Sequence, residues 1–304
     1  MLCSFCILVM LLLDFVYPIV AKSTFSAKGR HNILSRASCP LTLPVSICPD
    51  FRYNIYMKNF DYSVIYSDDD IVVLNKRSGI LIAADRYDPD APRLDLIAEK
   101  EFGKLYAVHR IDKDTSGLII YARNPEAQRT LSMQFENREV HKTYHALVYG
   151  HPMWNDLHVT LPLKPDGDAR HRTVVVKRGG KPSVTDLHLI GSCGQFSWIE
   201  AKPLTGRTHQ IRVHLAENGF CIVCDPLYSG NQKPLRLSEI KKNWRGDEDE
   251  ERPLLSRLAL HAYKIEFNHP KSGEKVSFTA PYPRDMEAVR KQFAKIYGVD
   301  SIAE

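Results

Sequence analysis

The sequence predicts an α+β fold, and three observations support that class. Strand-like and helix-like segments follow one another without the regular spacing of strand–helix–strand units that builds a parallel sheet. No internal repeat is visible along the chain. The 304 residues are 44% apolar and 25% charged, as in an ordinary globular domain that can bury a core without disulfides.

Residues 1–56 differ in character from the rest of the chain. The apolar run 2–13 is too short to span a membrane. It also lacks the preceding positive charge and the small-residue cleavage site of a secretory signal. Organised sequence begins near Met57. We therefore predict that residues 1–56 are a disordered or mis-assigned extension rather than a targeting element, and that residues 57–304 form the folded domain.

The first half of the organised chain contains both kinds of local pattern. Short β-branched or apolar runs predict strands at 63–66, 71–75 and 118–122. Apolar residues at helical spacing predict a helix over 92–102 that ends at Gly103. A second helix is predicted after Asn124, which suits an N-cap and is followed by Pro125 at the first helical position.

The second half continues the mixed pattern. Alternation over 142–149 predicts a strand with Tyr144 on one face and His145 on the other. Apolar runs predict further strands at 196–201, 258–261, 263–267 and 275–279. A helix is predicted over 208–218 with Gly219 as its stop, and apolar spacing over 286–296 predicts a closing helix.

Charge is informative locally rather than globally. The net charge is +5, but residues 1–56 carry five basic and two acidic residues, which leaves 36 bases and 34 acids elsewhere. This balance alone does not indicate a nucleic-acid-binding protein. The segment 164–181, however, holds six basic and two acidic residues, among them Arg170 and Arg172. It is either a basic contact surface or a solvated hairpin or loop.

Cysteine and histidine spacing argues against a disulfide framework and against a metal site. The seven cysteines are irregularly spaced, and we expect a reducing, cytoplasmic compartment. Cys221 and Cys224 are predicted to be small core residues. His209 and His214 are five residues apart, which places them on different faces of the predicted helix, so no metal cage is expected with His109.

Two dense polar segments indicate the candidate site. The first, His109 to Gly117, places Asp112 two residues after Arg110 in a loop that leads into a strand. The second, 205–214, supplies further cations, including Arg207, and its predicted helix puts His209 and Arg212 on one face. One carboxylate among several cationic donors suits an enzyme that grips a polyanion. No phosphate-binding glycine loop is present, and Ser116 lacks the context of a nucleophile elbow.

These segments resemble the RluA-type pseudouridine synthases. The resemblance covers about residues 62–283 in the same order and rests on five pieces of this chain: YSDDDIVVLNKRSG (66–79), HRIDKDTSGLIIYAR (109–123), KTYHALVYG (142–150), TGRTHQIRVHLAENG (205–219) and RLALHAYKIEFNHPKSG (257–273). It implies a mixed, largely antiparallel sheet flanked by helices and loops, with a central RNA-binding cleft. It also implies isomerisation of uridine to pseudouridine in structured RNA, ribosomal or transfer, without a cofactor.

The resemblance also implies roles for individual residues. Asp112 matches the family's essential aspartate, Tyr144 matches the aromatic residue that packs against the flipped uracil, and Arg212 matches the cation that pairs with the aspartate. Arg110 matches the residue that fills the gap left by the flipped base. His109 and Arg207 are expected only to position the substrate. The basic segment with Arg170 and Arg172 is expected to contact the RNA backbone.

Some features depart from the family pattern. Arg77 stands where the family often has proline, which changes the stiffness of the loop. Cys221 and Cys224 replace the more usual proline and glycine before Asp225, which is a packing change near the site. Larger members carry an S4-like domain. Residues 1–56 lack its basic helical pattern, so we expect the catalytic domain to act alone, as a monomer and without a membrane partner.

Two other functions compete with this interpretation. A catalytically silent RNA-binding protein could use the same groove, but a pure binder gains nothing from an acid such as Asp112 among phosphates. A hydrolase could combine Asp112 with the histidines, but their spacing does not favour it.

Overall fold

The computed structural model describes residues 61–82, 91–230, 233–247 and 249–297. The predicted extension 1–56 lies outside these residues, and so does the predicted start of the domain at Met57. The division of the chain into an extension and a catalytic domain therefore stays a prediction. No helix in the described ranges is long and apolar enough to cross a membrane.

A mixed sheet of eleven strands forms the centre of the described chain and confirms the α+β prediction. The strands are β1 (Tyr62–Ser67), β2 (Ile71–Lys76), β3 (Tyr106–Ala107), β4 (Ser116–Ala122), β5 (His141–Tyr149), β6 (Asp156–Lys164), β7 (Val174–Val175), β8 (Lys181–Cys193), β9 (Phe196–Pro203), β10 (Leu260–Asn268) and β11 (Lys275–Thr279). Their order is β1-β2-β4-β10-β5-β9-β8-β6-β7, with β3 beside β4 and β11 beside β10.

The junction of β4 and β10 differs from the other named pairings, because these two strands run parallel. Ser116 and Gly117 lie opposite His261 and Ala262. A Cβ atom on Gly117 would lie 2.2 Å from the carbonyl oxygen of Ala262, and φ at Gly117 is +112°. Only glycine permits both the backbone angle and this approach. The start of β4, which directly follows the Asp112 loop, is therefore held in the middle of the sheet.

Five helices flank the sheet in the described ranges: α1 (Leu94–Phe102), α2 (Pro125–Glu136), α3 (Gln210–Glu217), α4 (Leu237–Ile240) and α5 (Arg284–Tyr297). The side chain of Asn124 accepts a hydrogen bond from the backbone N–H of Ala127 at 2.8 Å, as its predicted capping role requires. Gly103 follows α1 with φ +73°. Met286, Val289 and Phe293 bury one face of α5.

Two of the differences from the sequence prediction have a clear cause in the backbone. The two strands predicted over 258–267 are one strand, β10, whose pairing with β5 shifts register between Ala262 and Lys264. The helix predicted from Thr208 begins at Gln210, because His209 has a left-handed backbone with φ +53°. A helix needs right-handed angles, so it cannot start before this residue.

Tyr144 lies where two parts of the apolar core meet. One cluster joins β5, β8 and β9 to α3 and α5, with Trp198, Ile211 and Phe293 among its members. A second cluster lies under β1, β2, β4 and α1 and includes Ile111. The Tyr144 ring packs against both clusters. The fold therefore fixes this ring from two sides next to the loop that carries Asp112.

Candidate active site

A cleft of about 600 Å³ opens where the loop before β4, strand β5 and the segment before α3 meet. Six of the residues predicted for the site line it: His109, Arg110, Asp112, Tyr144, Arg207 and Arg212. These residues come from three distant parts of the sequence, and the β4–β10–β5 junction of the sheet brings them together.

The Asp112 loop is held by its own backbone and by the end of β2. The N–H of Thr115 donates to the carbonyl of Asp112 at 3.2 Å, and the N–H of Gly79 donates to the carbonyl of Lys113 at 2.8 Å. The hydroxyl of Ser78 donates to the carbonyl of Asp114 at 2.6 Å. These bonds form although Arg77 stands where the family often has proline. This departure from the family pattern therefore leaves the loop supported.

Lys76 adds a buried anchor beneath the same loop. Its side chain is 1% exposed. The Nζ atom donates to the carbonyls of Arg77, Ile80 and Lys113 at 2.8–2.9 Å. Burial lowers the pKa of Lys76 to about 7, although the charges of Asp114 and Asp112 oppose that shift. A side chain at the end of a strand thus ties β2 to the loop that carries the candidate acid.

Arg212 lies between two carboxylates. Its Nη1 is 3.8 Å from Oδ2 of Asp112, while Nε and Nη2 donate to Asp225 at 2.8 and 2.7 Å. Arg212 and Asp225 are fully buried, whereas the side chain of Asp112 is 20% exposed. Burial opposes the charge on Arg212, but the bonds to Asp225 and the nearby carboxylates raise its pKa. Arg212 is therefore a permanent cation facing Asp112.

This arrangement differs from the sequence prediction in one respect. The sequence predicted one carboxylate at the site, with Arg212 as its partner. The structure adds Asp225, which takes the hydrogen bonds of Arg212 and also accepts the backbone N–H groups of Leu227 and Tyr228. The Tyr228 ring faces the guanidinium, with 5.1 Å between its centroid and the guanidinium carbon. Asp225 and Tyr228 thus fix the position of Arg212.

Tyr144 contributes a protonated phenol to the cleft. Burial, followed by the negative charge of Asp112, raises the pKa of Tyr144 above its ordinary value. The group therefore stays neutral at physiological pH. Its ring is a surface on which a flat base can pack, and its hydroxyl can donate a hydrogen bond.

His109 supports the loop from behind. Its Nε2 accepts the backbone N–H of Ile120 at 2.9 Å, and its ring stacks on Phe135 with 4.6 Å between centroids. Burial, with a smaller contribution from the charge of Lys142, lowers the pKa of His109 to about 3. The ring is thus neutral and committed to contacts within the protein.

The turn before α3 is organised by Gln210. Its Oε1 accepts from the hydroxyl of Thr205 at 2.7 Å and from the N–H of Arg207 at 3.0 Å. Its amide donates to the carbonyl of Val184 at 2.9 Å. These contacts hold Arg207 at the cleft. His209 also lines the cleft, from its left-handed position rather than from the helix face that was predicted.

The basic segment 164–181 lies beside the cleft rather than in it. Neither Arg170 nor Arg172 lines the cleft. Arg172 pairs with Asp168 at 2.7 Å and donates to the carbonyl of Leu227 at 2.9 Å. Arg170 is exposed and donates to the carbonyl of Pro226 at 3.3 Å. Arg172 therefore braces the loop after Asp225, while Arg170 presents its charge to solvent.

Cys224 is buried as predicted, whereas Cys221 is only half-buried, and His214 is buried as well. The thiol of Cys224 is buried and donates to the carbonyl of Leu255 at 3.5 Å. Burial raises the pKa of both Cys221 and Cys224. Cys224 has φ +57°, an angle that suits the glycine more usual in the family. His214 Nε2 hydrogen-bonds with Ser183 at 2.8 Å.

Sequence reasoning did not single out Asp225, Lys76 or Gln210. A signal existed for Asp225, because it ends a buried apolar run, and a fully buried arginine requires a buried carboxylate. Lys76 closes a strand of apolar residues, and a lysine in that place looks like an ordinary exposed end. Gln210 lies inside a quoted motif, but nothing in its spacing indicates its bonds to Val184 and Thr205.

Comparison with known proteins identifies relatives of this chain. Residues 70–217 match the family model described as RNA pseudouridylate synthase. "Ribosomal large subunit pseudouridine synthase D" of Neisseria meningitidis serogroup B is 35% identical over 245 residues, which are 78% of this chain and 63% of that protein. "Dual-specificity RNA pseudouridine synthase RluA" of Escherichia coli O6:H1 is 33% identical over 219 residues, 72% and 92% of the two chains.

A solved structure agrees with these relatives. The human protein titled "RNA Pseudouridylate Synthase Domain Containing 1" superimposes with a TM-score of 0.56 at 27% identity, over 73% of this chain and 84% of that one. This chain covers nearly the whole length of one of these relatives and a smaller share of the other. The chain spans 63% of the length of the synthase D protein of Neisseria meningitidis and 92% of the Escherichia coli protein.

Proposed function

The chain belongs to the RluA-type RNA pseudouridine synthases, and from this membership we propose that it isomerises specific uridines to pseudouridine in structured RNA, either ribosomal or transfer. The observation that carries the proposal is the position of Asp112, a partly exposed carboxylate 3.8 Å from the buried cation Arg212 on a cleft of about 600 Å³. A cleft of this size can enclose one extruded nucleotide.

The charge of the cleft supports an RNA substrate. Four basic side chains on its wall have no carboxylate at ion-pair distance among the described residues: Arg110, Arg138, Lys142 and Arg207. Asp112 and Glu136 are the acids on the same wall. Unpaired cations around a concave surface attract a polyanion such as RNA, even though the net charge of the whole chain is small.

The proposed reaction conserves all atoms of the nucleotide. The bond between N1 of uracil and C1′ of the ribose breaks, the base turns, and a bond forms between C5 and C1′. The proton that leaves C5 is balanced by a proton gained at N1. Asp112 acts at the nucleotide, either by attack or by assisting the cleavage, and it needs to be ionised to do so. The guanidinium of Arg212, 3.8 Å away, faces this carboxylate.

The other cleft residues prepare the nucleotide for this step. A base stacked in a helix is out of reach, so it must be extruded at a cost of a few kcal/mol. We assign Arg110, which is exposed beside Asp112, to the gap left in the RNA stack. Tyr144 offers its ring to the uracil, and the neutral His109 and the buried Gln210 keep the two halves of the site in place.

The test compares Asp112→Asn with wild-type protein on unmodified transcripts of large-subunit ribosomal RNA and transfer RNA. We expect wild type to form pseudouridine and the variant to lose at least about a thousandfold in rate, as is usual when an essential catalytic carboxylate is removed. RNA affinity should change little. Asp114→Asn is the matched control, because Asp114 lies in the same loop without lining the cleft and is held through its backbone carbonyl.

Two outcomes would overturn the proposal. Modification that persists in Asp112→Asn would remove the acid from the mechanism. RNA binding without any modification by wild-type protein, on both classes of transcript, would favour the silent RNA-binding alternative. Mapping of pseudouridines in cells that lack the protein then identifies the target uridine.

A further inference from the structure

Lys142 is a cleft cation that the proposed chemistry leaves without a role. It lies on β5 two residues before Tyr144, so both side chains leave the strand on the same face, and both line the cleft. Its Nζ is 3.9 Å from the position that a Cβ atom would take on Gly206. The ammonium group therefore lies against the backbone of the turn that carries Arg207.

The environment of Lys142 lacks the partners that other buried cations of this protein have. Arg212 has two carboxylates, and Lys76 donates to three carbonyls. Lys142 has neither a carboxylate nor a hydrogen-bond acceptor within contact distance in the described part of the chain. Burial lowers its pKa. An ammonium held half-buried without a partner costs free energy, which an anionic ligand would offset.

We propose that the ammonium of Lys142 binds a backbone phosphate of the RNA strand next to the extruded nucleotide. This inference rests on the proposed function, because it takes the occupant of the cleft to be RNA. A lysine is a compact charge with three donors, and it suits a phosphate oxygen. Arg207 follows Gly206 directly, so a second cation flanks the same stretch of backbone, held there by Gln210.

A phosphate accounts for this site better than a second catalytic role. The phosphodiester keeps its charge throughout the physiological pH range, so a charged lysine beside it is always paired. The extruded nucleotide must also bring its own phosphates to the mouth of the cleft, since the base enters while remaining covalently attached to the strand.

The first test measures binding in the Asp112→Asn background, where no turnover interferes. The probe is a short RNA hairpin with uridines in its loop. We expect Lys142→Met to weaken binding roughly 10- to 100-fold, the usual range for a hydrogen bond to a charged group. The slope of log affinity against log salt concentration should fall by about 0.7–0.9, the value of one phosphate contact. Lys142→Arg should restore most of the affinity and most of the salt slope.

The matched control is Lys275→Met, which removes one positive charge from an exposed lysine of β11 that does not line the cleft. It should leave affinity within about twofold of the parent and the salt slope unchanged. Thermal stability separates a ligand role from a structural one. Lys142→Met removes a partly desolvated charge, so its melting temperature should equal or exceed that of the parent. A structural role would lower it. If Lys142→Met does not fold, the same measurements are made on Lys142→Gln.

The second test locates the phosphate. Neutral methylphosphonate linkages replace the loop phosphates of the hairpin one at a time. With Lys142 present, one linkage should weaken binding to about the extent of Lys142→Met, and that same linkage should have little further effect on the variant. Equal losses at every linkage in both proteins would overturn the proposal.

Two further results decide the matter. Unchanged affinity and salt slope in Lys142→Met would overturn the inference. So would a variant with normal affinity whose rate of modification falls with a shifted pH profile, since that result indicates a proton-transfer role. Failure of wild-type protein to form pseudouridine would contradict the proposed function instead. That failure is distinguishable because the binding tests do not depend on turnover.

Discussion

The guanidinium of Arg212 lies 3.8 Å from the carboxylate of Asp112. The same guanidinium makes its short hydrogen bonds to Asp225, which is completely buried. Asp225 therefore takes the short hydrogen bonds of the buried guanidinium, and the partly exposed Asp112 remains accessible to a ligand. Under the proposed function, Asp225 supports the structure and Asp112 carries the chemistry, so the two acids around Arg212 should respond differently to substitution.

We predict that Asp225→Asn destabilises the fold and slows modification. Removal of one charge from a buried ion pair leaves the other uncompensated, at a cost of about 3–5 kcal/mol. Arg212 would also be drawn towards Asp112 and block it. Urea denaturation and initial rates on transcript RNA measure the two effects. Asp112→Asn is the matched comparison and should lose activity with little change in stability, since its side chain is partly exposed. Equal stability of both variants would contradict this assignment.

Lys76 should give stability a distinct pH dependence. Burial lowers its pKa from 10.5 to about 7. Between these values the unfolded chain keeps a proton that the folded protein has released, so the free energy of unfolding rises with pH. The slope from this group is at most about 1.4 kcal/mol per pH unit. Urea denaturation at several pH values between about 7 and 9 measures it, below the range where tyrosines titrate.

Lys76→Met provides the comparison for that slope. Burial also lowers the pKa of Lys142, and this group adds the same slope in wild type and in Lys76→Met. The difference between the two slopes therefore isolates Lys76. The variant also loses three carbonyl contacts, and for that reason only slopes are compared. Identical slopes in wild type and Lys76→Met would show that the buried lysine stays charged throughout the range.

Gly117→Ala should be much more harmful than an alanine in an exposed turn. A Cβ at position 117 would meet the backbone of Ala262, which cannot rotate away, and φ there is +112°. We expect a loss of about 3 kcal/mol or more. Gly273→Ala is the matched control, because φ is +71° and no atom lies within 4 Å of the added carbon. It should cost about 1 kcal/mol. Similar losses, measured by thermal unfolding, would argue against close packing at the β4–β10 junction.

The basic segment should divide into a bracing and an RNA-contacting part. Arg172→Ala removes contacts to Asp168 and Leu227, so we expect a lower melting temperature and a weakened loop after Asp225. Arg170→Ala should instead weaken RNA binding in low salt and leave the melting temperature nearly unchanged, since the side chain is exposed. Salt titrations of affinity, together with melting curves, test both. A stable Arg172→Ala variant, or salt-independent loss of binding in Arg170→Ala, would contradict this division.

The sequence was sufficient to predict that the proposed catalytic residues lie together, and it was insufficient for the residues that support them. Asp112, Tyr144 and Arg212 lie in motifs that the sequence makes visible, and all three line one cleft. Asp225 and Lys76 act through buried contacts with residues far along the chain, and no local periodicity reports such contacts. Their roles depend on which backbone atoms the fold brings near, and only the three-dimensional structure supplies that information.

Boundaries of elements show the same limit. The shift of register in β10 lies between Ala262 and Lys264, and it interrupts an alternation that sequence analysis had divided into two strands. His209 resembles a helical residue in composition, but its left-handed backbone delays the helix to Gln210. His209 lines the cleft and its ring hydrogen-bonds with Tyr228, so contacts outside the helix outweigh local preference there.

The parallel pairing of Ser116 with His261 also fixes when the site can exist during synthesis. Ser116 is further joined to Arg257 at 3.2 Å and to His261 at 3.0 Å, more than 140 positions later. Once the chain has been made as far as Glu217, the end of α3, Asp112, Tyr144 and Arg212 are all present, but β10 is not. We therefore expect the cleft to assemble late in synthesis, after the last quarter of the polypeptide, which contains β10, has been made.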